Sequence, residues 1–360
     1  MKYAIIGCGR IARNHLAAAV ACGLDVVAVC DLLPEAMQRL LAESGQGIMR
    51  RPTQYTDYRR MLAEMSPQLV AIATDSGAHA KIALDCIAAG MHIILEKPMA
   101  MSLGDADRII NAAGTAGVRI AVCHQNRFNN ASQALYRAVC EKRFGKISHA
   151  AVTIRWNRGV SYYRQAAWRG RWSSDGGALM NQCIHGIDLL RWFMGGNVSR
   201  VYGVCRNRFH PFIESEDVGL GVLTFENGAV ATVEGSTNIF PENLEETLCI
   251  FGERGTVKLG GQSAGRIEHW RFADGMPAPE ISERIQTVYG NGHTRLYDDM
   301  LSAIRQNRAP LIDAKEGRTA LELVLAIYKS QKEGKVVRLP MADFSSDDMA
   351  GTFSKNKEGL

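Results

Sequence analysis

The stretch YAIIGCGRIA, Tyr3 to Ala12, decides how the first third of this chain is read. Tyr3–Ile6 is an apolar run with no polar alternation, as expected of a strand covered on both faces. Gly7, Gly9 and Ala12 follow as GxGxxA, and a helical pattern comes next. The first glycine allows a tight turn and the second lets a pyrophosphate approach the backbone. The small third residue lets the helix pack on the strand while its N-terminus faces the anion. Alone the pattern is weak, because glycines also make ordinary turns. An acid about 20 positions on, at the end of the next strand, would strengthen it. Asp31 stands there in VVAVCDLLP, Val26 to Pro34. Its carboxylate suits adenosine ribose hydroxyls and repels a 2′-phosphate, and Leu32 and Leu33 offer that phosphate no cation. NAD is therefore expected over NADP, with Arg50 and Arg51 as the cations that would weaken the preference.

Outward from this turn, Val26–Cys30, Leu69–Ala73, His92–Leu95 and Arg119–Cys123 are further short apolar runs, separated mostly by helix-like segments. Alternating strands and helices imply a parallel sheet covered on both faces. After about residue 145 the pattern changes to longer strands with partial alternation: Lys146–Trp156, Val201–Arg208, Val218–Phe225 and Ala229–Gly235. Asn227-Gly228 between the last two is a type I′ hairpin signal. Two helices, about His293–Gln306 and Lys315–Lys332, are expected to close this part. The fold class is α/β: a Rossmann dinucleotide-binding domain over residues 1–123, then an α+β domain with a mostly antiparallel open sheet over 124–340. Residues 341–360 read as a loose polar tail.

The 360 residues carry a net charge of +5, with 46% hydrophobic and 22% charged residues, ordinary for a globular enzyme. No apolar run approaches the ~18 residues of a membrane span. The N-terminal run is too short for a signal peptide and reads as the first strand. Nine scattered cysteines, odd in number and without a CxxC pair, argue against a disulfide framework and a thiolate metal site. The expected setting is the reducing cytoplasm, with no metal, no membrane and no nucleic-acid partner.

MHIILEKPMAMS, Met91 to Ser102, places Glu96, Lys97 and Pro98 directly after an apolar run. Ionic groups are costly to bury, but the carboxyl end of a strand in such a sheet borders a ligand crevice. Taken alone, Lys97 would equally suit a surface lysine. In GGALMNQCIHGIDLLRW, Asn181, His185 and Asp188 are spaced to share one helical face. Histidine exchanges a proton near neutral pH, whereas Asn181 orients a hydroxyl without acting as a base. His185 has a satisfied core histidine as its plainer reading, and Asp188 reads as structural.

GCGRIA, ATDSGAH (Ala73–His79), EKP (Glu96–Pro98) and GGALMNQCIHGID (Gly176–Asp188) occur in this order. Together they make nearly the whole chain resemble the Gfo/Idh/MocA family of NAD(P)-dependent sugar and cyclitol oxidoreductases. The resemblance implies that Lys97 lies beside the nicotinamide and the reacting hydroxyl, and that a cis peptide often precedes Pro98. It implies cofactor contacts at Gly7, Gly9, Arg10, Ile11, Ala12, Asp31, Thr74, His79, Glu96, Lys97, Gln125, Trp168 and Arg169. Many relatives carry aspartate at position 181. With asparagine here, Lys97 and His185 become the acid–base pair, assisted by Asn181, and which of them takes the proton stays open.

From Lys142 to Ser174 there is no acidic residue, while Arg143, Arg155, Arg158, Arg164, Arg169 and Arg171 are interleaved with Trp156, Tyr162, Tyr163, Trp168 and Trp172. A solvated charge face is the plainer reading. Arginines and aromatics together also suit an anionic sugar substrate. Within the family, the stretch is most similar to enzymes that oxidise C3 of UDP-N-acetylglucosaminuronic acid. On that basis Asn126, Arg127, Arg158, Tyr162, Tyr163, Arg164, Asn181, His185 and Lys97 are the expected substrate contacts. A free-sugar or inositol dehydrogenase is the alternative, and a non-catalytic NAD-binding regulator a third reading. A homo-oligomer, dimer or tetramer, through the second domain's sheet is also expected.

Overall fold

The apolar runs of residues 1–123 all become parallel strands. A computed structural model describes every residue except 45, 46, 49, 283, 284, 286–288 and 354–360. In it, the elements run β1 (Lys2–Ile6), α1 (Ala12–Ala21), β2 (Asp25–Cys30), α2 (Pro34–Ser44), β3 (Thr53–Tyr55), α3 (Tyr58–Met65), β4 (Leu69–Ile72), α4 (His79–Ala88), β5 (His92–Leu95), α5 (Leu103–Ala116) and β6 (Ile120–Val122). The strand order is β3-β2-β1-β4-β5-β6. Residues 69–72 of β4 are buried throughout, which is why the run shows no alternation. Only β3, a three-residue edge strand, was not announced by an apolar run. The sheet reverses its order between β1 and β4. The loops leaving the carboxyl ends of β1, β4 and β5 carry Gly7, Thr74 and Lys97, on the side where such sheets bind ligands.

The elements that follow are α6 (Asn130–Cys140), β7 (Ile147–Arg155), α7 (Val160–Tyr163), α8 (Ile184–Met194), β8 (Val198–Arg206), β9 (Val218–Phe225), β10 (Val230–Ser236), β11 (Glu245–Gly252), β12 (Gly255–Gly260), β13 (Arg266–Phe272), α9 (His293–Gln306), α10 (Ala314–Glu333) and β14 (Val337–Arg338). They build an eight-stranded sheet of order β13-β12-β11-β7-β10-β9-β8-β14. Only the β7–β10 pair is parallel. One face is buried: β9 turns Leu223 and Phe225 inward and exposes Leu220 and Val222. Two inward glycines set the distance of the layer above: a Cβ on Gly219 would lie 2.5 Å from Leu179, and one on Gly235 2.5 Å from Cys183 Sγ.

Three expectations are corrected. The chain divides into Met1–Cys123 with Gly292–Arg318, and His124–Asn291 with Thr319–Leu360. Helix α9 therefore belongs to the first unit, because a helical period fixes which face is buried but not its partner. The β9–β10 hairpin forms without a type I′ turn. Gly228 has a positive φ of 84° but Asn227 does not, and Gly228 N–H bonds to Phe225 C=O at 3.0 Å. This is a three-residue loop ending in a glycine bulge. Within residues 341–353 of the expected loose tail, Met341, Phe344, Ser346 and Met349 are buried, and Ser346 Oγ donates to Trp172 C=O at 2.7 Å. The rest of the expected loose tail lies outside the described residues. No helix among the described residues is long and apolar enough to cross a membrane.

Candidate active site

In the first unit, the β1–α1 turn has the form a dinucleotide requires. Gly7 has φ +93°, and a Cβ there would lie 2.5 Å from the Ala73 carbonyl. No side chain fits. At Gly9 a Cβ would meet nothing within 4 Å and φ is unremarkable, so nothing in the chain itself calls for glycine. A close ligand would. Helix α1 starts at Ala12 with no side-chain cap on its N-terminus. Asp31 accepts from Cys8 N–H at 2.7 Å with Oδ2 and from Leu33 N–H at 2.9 Å with Oδ1, which pins a half-buried carboxylate past the end of β2. Arg50 pairs with Asp25 at 2.5 Å, at the opposite end of that strand. Arg50 is thus not placed to receive a 2′-phosphate. Arg10 is exposed, and Ile11 and Thr74 are half-buried.

His79, expected at the cofactor, is buried, with Nδ1 2.8 Å from Pro98 C=O and Nε2 3.3 Å from Thr74 C=O. It braces the β4 and β5 loops from beneath, and burial lowers its pKa. The Lys97–Pro98 peptide is cis, and Lys97 is half-exposed. Glu96 is buried, accepting from His15 Nε2 at 3.0 Å and from Lys97 N–H at 3.1 Å. Burial works to raise the Glu96 carboxyl, yet the His15 hydrogen bond and nearby cations hold it well below the usual carboxylate range. His15, Glu96 and Cys123 place metal-capable atoms within 4.8 Å of one another. Both nitrogens of His15 and both oxygens of Glu96 already serve hydrogen bonds, so this is a polar network in form.

In the second unit, the expected helical face splits. Asn181 lies in a π turn, Ala178–Cys183, ahead of α8, so the α-helical register with His185 is broken. Asn181 Nδ2 donates to Asp175, which also accepts from Gly170 N–H at 2.6 Å. Asn181 itself carries no acid, but a carboxylate sits one hydrogen bond away. Sequence reasoning passed over Asp175, although it is the acid that closes the acid-free stretch. His185 is buried and meets His124 edge-on, ring centres 5.7 Å apart. Asp188 is gripped by Arg127, whose side chain is 1% exposed. Arg127 is therefore corrected from substrate contact to buried counter-ion. Gln125 and Asn126 are buried too, and among the described residues Gln125 Oε1 and Asn126 Oδ1 have no hydrogen-bond partner, an arrangement that suits an incoming donor.

The basic stretch separates into used and unused arginines. Arg155 pairs with Glu234 and Glu245 at 2.6 Å each, and Arg143 with Asp274 at 2.9 Å. Arg164 points to solvent, and Tyr163 is buried with its hydroxyl 3.2 Å from Thr237 Oγ1, so neither matches the substrate contact expected of it. Arg171 is exposed as well, which leaves Arg158 and Arg169. Both lie over the Tyr162 ring, at 5.3 and 4.0 Å, and Arg169 also over Trp168 at 4.8 Å. Among the described residues Arg158 contacts Gln182 and Asn243 but no carboxylate, and burial lowers its pKa. Arg169 Nε is buried without a partner. Two cations around one tyrosine, neither in a salt bridge among the described residues although Asp175 lies near the ring, have the composition of an anion receptor.

Comparison with known proteins agrees in both units. Residues 1–124 match the family model "Oxidoreductase family, NAD-binding Rossmann fold", and residues 137–339 match "Oxidoreductase family, C-terminal alpha/beta domain". The WlbA dehydrogenase of Bordetella pertussis, solved with NADH and UDP-GlcNAcA, is 36% identical with a TM-score of 0.84, over 95% of this chain and 99% of that one. D-apiose dehydrogenase of Paraburkholderia graminis is 28% identical over 98% of this chain and 93% of its own length. Myo-inositol 2-dehydrogenase of Thermotoga maritima is 22% identical over 94% and 98%.

Proposed function

Because the chain belongs to the Gfo/Idh/MocA oxidoreductase family and is an NAD-dependent enzyme, we propose that it oxidises C3 of UDP-N-acetylglucosaminuronic acid or a closely related nucleotide-linked uronate. The observation that carries this is the pair Arg158 and Arg169 around Tyr162, half-buried cations that form no salt bridge among the described residues. A uronate or diphosphate supplies one. The likeness to a dehydrogenase solved with UDP-GlcNAcA supports the same reading.

Gly7, Gly9 and Asp31 would hold NAD, whose chemistry would be the acceptance of a hydride from the alcohol carbon. The chain's residues do the rest. Gly7 and Gly9 admit the pyrophosphate and Asp31 takes the ribose hydroxyls. Lys97 of the first unit is the proposed partner of the reacting hydroxyl, whose proton leaves as the C–H bond breaks, and His185 of the second unit is the other proposed acid–base group. Asn181, held by Asp175, orients the hydroxyl. The exposed Tyr202, Leu220, Val222 and Val230 share the outer face of the second sheet and are the proposed contact between copies of the chain.

A free-sugar or inositol dehydrogenase is the second reading. It is favoured by the names of the D-apiose and myo-inositol relatives, and by the ion pairs that occupy Arg143 and Arg155. The test measures NADH formation with UDP-N-acetylglucosaminuronate, UDP-N-acetylglucosamine, D-apiose and myo-inositol, on wild type and Arg158→Ala. Preference for the uronate, with KM raised about 10- to 100-fold in the variant, is expected. Efficient turnover of a neutral sugar, unchanged by the substitution, would transfer the assignment to the second reading.

A further inference from the structure

Four buried polar side chains of the first unit form a row of hydrogen bonds that ends on the main chain of Lys97. Tyr3 Oη is 2.9 Å from Tyr297 Oη, and Tyr297 Oη is 2.8 Å from His15 Nδ1. His15 Nε2 is 3.0 Å from Glu96 Oε1, and Glu96 Oε2 accepts from Lys97 N–H at 3.1 Å. Tyr3, His15 and Tyr297 are 0% exposed and Glu96 6%. The members come from β1, α9, α1 and the end of β5. A Rossmann core has no packing need for them, since apolar residues of similar volume would avoid the desolvation cost.

With His15 neutral, the row has one consistent direction. Burial raises both phenols, so each keeps its single proton. Among the described residues the Tyr3 hydroxyl has no other hydrogen-bond partner, so its proton goes to Tyr297. The proton of Tyr297 then goes to His15 Nδ1, and His15 donates from Nε2 to Glu96. Glu96 thus receives a donor on each oxygen, which suits a carboxylate. The other titratable groups facing it are His79 from α4, Cys123 after β6, His293 from α9 and the Lys97 amine.

We propose that His15 and Tyr297 are positioning residues for the reaction: they lock the Glu96 carboxylate against the backbone of Lys97 and so fix both the place and the charge of the Lys97 amine. A fixed carboxylate beside an amine favours its ammonium form. The same row ties α1, the helix of the nucleotide turn, to the lysine. None of the three side chains needs to touch substrate for this. The inference rests on the role given to Lys97 above.

Two measurements on the full-length protein test it separately from the substrate assignment. The first follows the rate at which an amine-acylating reagent modifies Lys97 between pH 7 and 11, by peptide mass spectrometry. Tyr297→Phe and Glu96→Gln should move the half-reactive pH of Lys97 downward, with other lysines unmoved. The second compares His15→Leu with His15→Gln, whose amide can still donate to Glu96. Turnover should fall at least ~10-fold in the leucine variant and largely recover in the glutamine one, with NADH affinity within about 2-fold in both. Thermal unfolding identifies any variant that fails to fold, and Tyr297→Phe, which removes one hydroxyl, then carries the decision. An unmoved Lys97 titration, or equal turnover in the two His15 variants, would overturn the proposal. Absence of wild-type turnover on the uronate would count against the proposed substrate only, because the Lys97 titration needs no substrate.

Discussion

Arg127 grips Asp188 with two hydrogen bonds, Nε to Oδ2 at 2.7 Å and Nη2 to Oδ1 at 2.5 Å, and neither side chain is more than 1% exposed. Burial alone would raise the Asp188 carboxyl, but the guanidinium and His124 hold it below the usual range. Removing one partner leaves a buried unpaired charge. Arg127→Met should therefore cost roughly 3–5 kcal/mol of stability in urea unfolding. The double variant Arg127→Met/Asp188→Leu should regain much of it. A single variant as stable as wild type would contradict the structural role given to this pair.

Asp31 makes the cofactor preference testable. NAD should bind at least ~10-fold more tightly than NADP, about 1.4 kcal/mol, by calorimetric titration. Asp31→Asn keeps an acceptor near Cys8 N–H but loses the charge that repels a 2′-phosphate. The gap between the two cofactors should narrow. Equal binding in the wild type would show that the carboxylate does not discriminate.

Lys97→Met and His185→Asn should each lower turnover by ~100-fold or more while leaving NADH binding in place. Single-turnover absorbance of NADH formation separates chemistry from product release. Near wild-type hydride transfer in Lys97→Met would remove that lysine from the mechanism.

Glu216 should leave its mark on stability against pH. It is buried beneath the π turn, its Oε1 accepting from Leu179 N–H at 2.8 Å, and burial pushes its carboxyl up to about 8. From the ordinary carboxylate value of about 4.3 up to about 8, the folded protein holds a proton that the unfolded chain has released. Stability therefore falls as pH rises through this window, by about 1.4 kcal/mol per pH unit at most. Glu246, pushed up by burial to about 7, acts in the same direction. Urea unfolding at pH 5 and pH 8 should show a smaller loss in Glu216→Gln than in wild type. An identical loss would mean that Glu216 is ionised in the folded state.

What the sequence determined by itself was local. The run Tyr3–Ile6, the turn Gly7–Ala12 and Asp31 define a strand, a turn and the end of the next strand. Steric limits at Gly7 and continuous apolar burial leave few other arrangements for such a segment, so these features were legible before any coordinates. Lys97 was legible for a similar reason, as an ionic group directly after a buried strand. Tertiary structure decided which polar groups meet. Arg127 and Asp188 are 61 residues apart, and Tyr3 and Tyr297 are 294 apart. No periodicity encodes such pairings, because a buried charge is satisfied by whichever partner the fold brings to it. The basic stretch shows this most clearly: composition made its arginines look alike, and only packing showed Arg155 spent on Glu234 and Glu245 while Arg158 and Arg169 lie around Tyr162 with no salt bridge among the described residues.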